Sequence, residues 1–293
     1  MNAASYLQFL ITGLTVGSTY GLTALGFTII FNTTGIINFA QGEFVMLGGM
    51  FAVYFLATLK LPLLLAILLA VAATTVVGAV MERLAIRPVG RGDVLRLIII
   101  TIGVGIVIRG VAMLVWGKDT HVLPPFSGNT PIPILGATIL PQSLWVLGIS
   151  LLIVAGLRTF FARTLFGKGM LACSYDKKAA SLVGISVERM VLYSFMIAAF
   201  VGSVGGVILS PITMTSYDVG VLLGLKGFAA CIVGGLGNPF GAAVGGVLIG
   251  ILESFGAGVI SSAYKDAFAF IILLVLLFVK PSGLFGSASS ERV

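Results

Sequence analysis

Charge is nearly missing from this sequence. Only 9% of its 293 residues are Asp, Glu, Lys or Arg, against about 25% in a soluble domain. That excludes an ordinary water-soluble globule. Cysteine and histidine are almost as scarce. Cys173 and Cys231 lie far apart without metal-ligand spacing, and His121 is the single histidine. Neither a disulfide framework nor a zinc site can be built from that set. Nucleotide-binding loops are missing too. No G-x-x-x-x-G-K-[ST] occurs, and "GKGM" at 167–170 lacks the upstream glycine and the hydroxyl residue. "GGLGNPF" fails as G-x-G-x-x-G because position 240 is Phe. "ILSPI" gives Ser210 no visible base, so an intramembrane hydrolase is not supported.

What is there is oil. Hydrophobic residues make up 58% of the chain, and the mean hydropathy is +1.16. Apolar runs of about 18 residues or more recur, each long enough to cross a bilayer core. The pattern predicts an all-α, polytopic membrane protein with a single transmembrane domain over 1–293. A β-barrel would alternate in ten-residue segments instead. The expected spans are 7–31, 36–58, 61–81, 97–116, 142–161, 190–210, a broken segment 225–258, and 266–280. That makes about eight to ten transmembrane or half-membrane helices, with breaks near 36–45 and 233–241. The opening "MNAASYLQFL" carries no basic residue, so the first span is expected to be retained.

The net charge of +7 has a topological meaning. Loops 82–96 and 158–189 hold ten of the 17 Lys and Arg residues, among them Arg83, Arg87, Arg91 and Arg96. Both should be cytoplasmic by the positive-inside rule, and nucleic acid is not an expected partner. The proline-rich loop 117–141, with Lys118 alone, should face outward. Counting back places the N-terminus outside. Lys280 and Arg292 favour an inside C-terminus, which requires an extra crossing within 225–258. There Gly234, Gly235, Gly237 and Pro239 should break a helix into a re-entrant pair or a tight hairpin.

Polar residues inside the spans mark candidate sites. "TTGIINFAQGEF" at 33–44 places Asn38, Gln41 and Glu43 within a few positions. Gly35 and Gly42 permit a partly unwound backbone on which the three side chains converge, as in the broken helices of transporters. The alternative is helix capping by Asn38 and interhelical hydrogen bonding. Arg109 either snorkels to the outer interface or lies at the outer mouth of a pathway. Asn238, at the second break, completes the candidate pathway set. Two small-residue stripes, Ala198–Gly202–Gly206 and Ala242–Gly246–Gly250, suit close helix packing within the chain or between subunits.

A separate signal lies in "KGMLACSYDKKAASLVGISVER" at 168–189. Ala172, Tyr175, Ala179 and Leu182 follow a helical spacing and predict one face of a short cytoplasmic helix. Gly184 suits its stop, and Ser186 with Glu188 suits the start of the next helix. That short helix either lies in headgroups or docks into a groove of a partner.

Five blocks in order, "GSTYGLTALGFTIIFNTTGIINFAQGEFVMLGG", "ERLAIRPV…LRLIIITIGVGIVIRG", "GKGMLACSYDKKAASLVGIS", "GLKGFAACIVGGLGNPFGAAVGGVLIGILE" and "SSAYKDAFAFIILLVLLFVKPSGLFG", span nearly the whole chain. This combination resembles the LivH-type permease of branched-chain amino acid ABC importers. One departure is Gln41, where the family commonly has His in its NFAHGE block. The resemblance implies a permease subunit in the bacterial inner membrane, carrying branched-chain or related hydrophobic amino acids. Urea or short amides are the alternative cargo. It implies a homologous LivM-like second permease as heterodimer partner, two ATPase subunits and an extracytoplasmic binding protein. ATP and Mg would be used by those ATPase partners, with no cofactor or metal held by this chain. It also implies a coupling helix within the loop 163–189. The matching residues are 168–184, adding Asp176 and Ala180 to Ala172, Tyr175, Ala179, Leu182 and Gly184. More distant alternatives are a passive channel, faintly echoed by Asn38-Phe39-Ala40 and Asn238-Pro239-Phe240, and an ion-coupled transporter using Glu43 or Glu253.

Overall fold

The structure is a computed structural model that describes residues 2–89 and 94–286. Arg91 and Arg292, used above for orientation, fall outside the described residues. Among the described residues eleven α-helices carry the fold: α1 (Ala3–Thr34), α2 (Gln41–Val53), α3 (Leu63–Met81), α4 (Val94–Trp116), α5 (Pro141–Arg163), α6 (Leu165–Tyr175), α7 (Lys177–Leu182), α8 (Val187–Thr213), α9 (Val219–Gly234), α10 (Pro239–Val259) and α11 (Lys265–Val279). Helix α2 continues as a π-helical turn to Thr58, and α3 continues through π and 3-10 turns to Val89. Among the described residues eight helices are long and apolar enough to cross a membrane, and α9 is a shorter apolar one. The chain is therefore an all-α, multi-pass membrane protein, as expected.

Helix α1 is the axis of the bundle. In its most apolar window 78% of residues are buried, against 11% in α5 and 6% in the α11 span. It carries its polar residues without penalty because Thr15, Thr23, Thr28 and Thr33 donate their hydroxyls to carbonyls one turn back. Glycine lets α10 lie against it at backbone distance. A Cβ at Gly246 would fall 2.1 Å from the Gly21 nitrogen, and one at Gly250 would fall 2.3 Å from the Gly17 Cα. The other stripe does the same on α8, where a Cβ at Gly206 would fall 1.9 Å from the Val45 oxygen. Both expected stripes thus serve packing within the chain.

The two ends of the bundle are chemically distinct. At one end the Thr138 nitrogen donates to the Gln8 side chain over 2.8 Å, and His121 bridges Thr215. The connecting loop there folds into a hairpin, β1 (Ile132–Ile134) and β2 (Ala137–Ile139). Its tip, Leu135 and Gly136, has positive φ at both positions, the geometry of a type I′ turn. At the other end Lys177 Nζ donates to the Thr34 carbonyl over 2.5 Å, Arg87 pairs with Glu188, and Asn32 Nδ2 donates to the Gly237 carbonyl. The basic loops therefore gather at the end opposite the N-terminus, in agreement with the inferred orientation.

The broken segment resolves into a tight hairpin. Helix α9 runs inward, turns at 235–238 with Gly235 and Gly237 at positive φ, and returns as α10. The Leu284 and Phe285 nitrogens donate to the Val233 and Gly234 carbonyls, which holds the C-terminal segment at the same inner end.

Candidate functional site

The stretch after α1 is where the bundle departs from simple crossing helices. Gly35 takes a left-handed φ of 76° and closes α1. Residues 35–40 then run without helical structure up the inner half of α4. Ile36 packs with Leu97, and the Phe39 nitrogen donates to Thr101 Oγ1 over 3.1 Å. Helix α2 starts only at Gln41, which lies against Gly26. Gly26 is eight residues before the end of α1, about 12 Å back by helical rise. The break expected near 36–45 is present, and α2 begins inside the bilayer rather than at its surface. Helix α9 begins at the same depth, because a Cβ on Gly42 would fall 2.0 Å from the Gly220 carbonyl.

The three polar side chains do not converge. Asn38 is fully buried and its Oδ1 accepts from the Ala40 nitrogen over 3.1 Å, a turn that leads into α2. Gln41 points toward α8, with Nε2 donating to the Ala198 carbonyl over 3.0 Å. Glu43 points the other way. Two positions along a helix turn the side chain by about 200°, and the helix is regular from Gln41 onward. Gly42 therefore serves close packing on α9, not an unwound backbone. Asn238 is remote from all three. It caps α10, with Oδ1 accepting from the Gly241 nitrogen and Nδ2 donating to the Phe285 carbonyl. It lines a separate cleft of about 600 Å³ at the inner end with Asn32 and Arg158.

Glu43 and Arg109 do meet. Arg109 Nε lies 3.4 Å from Glu43 Oε1, so Arg109 turns inward to a carboxylate instead of snorkelling outward. The pair borders a groove of about 250 Å³ between α2, α4 and α9, walled by Phe27, Phe39, Ile102 and Leu225. Glu43 Oε2 is buried and meets no hydrogen-bond donor among the described residues. A charge pair at this depth faces a wet cavity or a subunit seam, not hydrocarbon.

The cytoplasmic segment is two helices, not one. Asp176 takes an extended backbone (φ −156°, ψ 112°) and its carboxylate accepts from the Lys178 and Ala179 nitrogens, starting α7. The single face expected from Ala172, Tyr175, Ala179 and Leu182 is thereby split across a bend. Ala180 is buried with Ile29, Met170, Cys173 and Met190, and Ala172 packs at the edge of that cluster. Burial pushes the Cys173 thiol above its ordinary range, with Lys177 opposing. Tyr175 and Leu182 stand 90% and 87% exposed, joined by Val183, Leu165 and Phe166. Gly184 has φ 87° just past α7, the expected stop. Ser186 occupies the cap position of α8 without a side-chain cap bond.

One polar cluster went unread in the sequence apart from Glu253. Lys226 Nζ lies 2.8 Å from Glu253 Oε1, 2.6 Å from Asp266 Oδ1 and 3.1 Å from the Tyr20 hydroxyl. It ties α9, α10, α11 and α1 together. The available signal was Lys226 itself, the lone charge in the apolar run 219–234. No group of three His, Cys, Asp or Glu able to hold a metal exists among the described residues.

Comparison with known proteins sets this geometry in a family. The chain is 34% identical to the high-affinity branched-chain amino acid transport system permease protein BraD of Pseudomonas aeruginosa, over 98% of both chains. It is 32% identical to the corresponding permease protein LivH of Escherichia coli, again over 98% of both. Its fold resembles that of PsaBC from Streptococcus pneumoniae, solved in complex with Fab, at a TM-score of 0.50 and 15% identity over 94% of each chain. Residues 9–277 match the family described as branched-chain amino acid transport system / permease component, and the chain belongs to that family.

Proposed function

We propose that this chain is the permease subunit of an ATP-driven importer and forms half of its path for branched-chain amino acids. A homologous second permease supplies the other half, an extracytoplasmic binding protein delivers the substrate, and two ATPase subunits bind ATP and Mg and drive the cycle. The observation that carries this reading is the surface of α6 and α7. Leu165, Phe166, Tyr175, Leu182 and Val183 are exposed at the inner end, beyond the span α5. Large apolar side chains left exposed on short helical elements are the anchors of helix-in-groove docking. Asp176 and Gly184 fix both ends of α7, so force applied there reaches α8 directly and α5 through α6. The sequence has no nucleotide-binding loop of its own, and the energy source is a partner.

The groove at Glu43 and Arg109 is the path-lining element in this reading. It sits at mid-depth where α2 and α9 both begin, with α4 forming one wall and α9 another. Few buried residues hold α4 in place, which leaves that side for the second permease. The test is reconstitution of the assembled transporter in proteoliposomes. Leucine uptake is expected to require ATP, the ATPase subunits and the binding protein, and to survive a protonophore. Leucine flux through the permease without ATPase subunits would support a channel. Uptake that collapses with the protonophore would support ion coupling.

A further inference from the structure

The Glu43–Arg109 groove holds one excess acceptor and one under-used donor in the same cavity. The ion pair is a single approach of 3.4 Å. Arg109 meets no hydrogen-bond acceptor among the described residues, and its Nε is buried. Glu43 Oε2 is equally unmet, on a side chain only 4% exposed. Buried polar atoms are ordinarily satisfied, so each such atom calls for a missing counterpart. A single ligand that carries both counterparts is a zwitterion.

We propose that this groove is a transient subsite for a zwitterionic α-amino acid, resting on the permease reading above. Glu43 Oε2 accepts from the α-ammonium, the Arg109 guanidinium donates to the α-carboxylate, and Phe27, Phe39, Ile102 and Leu225 take the apolar side chain. The glycines around it keep the space open. A Cβ at Gly220 would fall 2.7 Å from Glu43 Oε2. The cavity of about 250 Å³ is smaller than a drug-sized pocket and suits a small molecule. The first turn of α9 lies on the same wall, with the Asp218 carboxylate at its N-cap position. A neutral amide or a urea offers neither charge and would leave both groups unpaired. The mutual contact of Glu43 and Arg109 keeps the site closed to ions of one sign when it is empty. It also keeps the site weak enough to release its ligand toward the inner end.

The test uses the assembled transporter in proteoliposomes, with radiolabelled leucine as probe and co-purification of all subunits as the folding control. Glu43→Gln and Arg109→Gln are each expected to lower leucine uptake by about tenfold or more, the loss from removing one charge-assisted partner. The double variant separates recognition from structure. If the pair only links α2 to α4, removing both charges leaves no uncompensated charge and uptake recovers. In the zwitterion subsite the double variant stays as inactive as either single one. Gly105→Val adds a steric test that leaves the backbone alone, because a Cβ there meets Ala40 and Glu43 only at 3.6–3.7 Å. It narrows the groove and is expected to reduce leucine uptake while the subunits still assemble. Recovery in the double variant, or wild-type uptake in either charge variant, overturns the subsite and leaves the permease reading standing. No ATP-dependent leucine uptake by the unmodified transporter overturns both.

Discussion

A single lysine shows how a membrane bundle tolerates charge. Lys226 is 4% exposed and has oxygen neighbours from three other helices, Tyr20, Glu253 and Asp266. Glu253 is 1% exposed, and its Oε2 has no hydrogen-bond partner among the described residues. Its Oε1 accepts from Lys226 over 2.8 Å and from the Tyr20 hydroxyl over 3.3 Å, with Lys265 farther off at 3.6 Å. Removing one partner of such a pair is costly because the other charge stays buried, at about 3–5 kcal/mol. Lys226→Met is therefore expected to destabilise the solubilised transporter by about 3 kcal/mol, the low end of that range because Lys265 compensates in part. Lys226→Met with Glu253→Gln is expected to recover at least half of the loss, since no bare charge remains. Thermal unfolding of both variants in detergent reads this out. Equal midpoints for wild type and Lys226→Met would mean that the cluster does not hold the helices. The residue scale was only partly legible in the sequence. Glu43 and Arg109 stood out as charges in apolar runs, but nothing in their spacing of 66 positions said that they pair. Lys226 and Tyr20 were invisible as a pair for the same reason. Contacts between helices depend on which faces meet, and that is set by glycine stripes acting over long sequence separations.

Among the elements, α6 and α7 separate what local sequence encodes from what it hides. Periodicity alone reads 168–184 as one helix, because Tyr175, Asp176 and Lys177 are all compatible with helix. The carboxylate of Asp176 decides otherwise by accepting from the Lys178 and Ala179 nitrogens, and the chain bends there. Gly184, in contrast, was legible, since a glycine after a short apolar run is the usual left-handed stop. The break before α2 was legible for a like reason, with Gly35 followed by polar residues where a span should have been uniformly apolar. The bend matters for docking. It turns Ala180 into the body and presents Tyr175, Leu182 and Val183 outward. Leu182→Glu places a carboxylate in that face without touching any buried contact. If the face docks on an ATPase, the loss should be about 2 kcal/mol, or roughly thirtyfold in affinity, as at an interface anchor. Pull-down of the ATPase subunits with the tagged permease measures it, with membrane insertion as the control. Undiminished recovery of the ATPases would place the contact elsewhere.

On the scale of the whole molecule, the fold implies an odd number of passages, and this can be tested without transport. Eight long helices alone would return the C-terminus to the side of the N-terminus. The short α9 changes the parity, since it begins at mid-depth beside α2 and ends at the inner turn held by Asn32 and the C-terminal segment. The stretch 214–218 that feeds it starts at the outer end, where Thr215 bridges His121. Together the stretch and the helix cross from one side to the other, so the start of α1 and the segment after α11 lie at opposite ends of the bundle, the latter at the end where the basic loops gather. Both native cysteines are buried, which keeps the background of a thiol-labelling experiment low. Leu135 at the hairpin tip is 89% exposed at one end, and Tyr175 is 90% exposed at the other. With Leu135→Cys, a membrane-impermeant maleimide added to sealed right-side-out vesicles is expected to label the protein at once. With Tyr175→Cys, labelling is expected only after permeabilisation, and co-expression of the ATPase subunits should slow it further if α6 and α7 are covered by them. The same compartment for both positions would contradict the topology from which the inner-end docking face and the mid-depth groove are both argued.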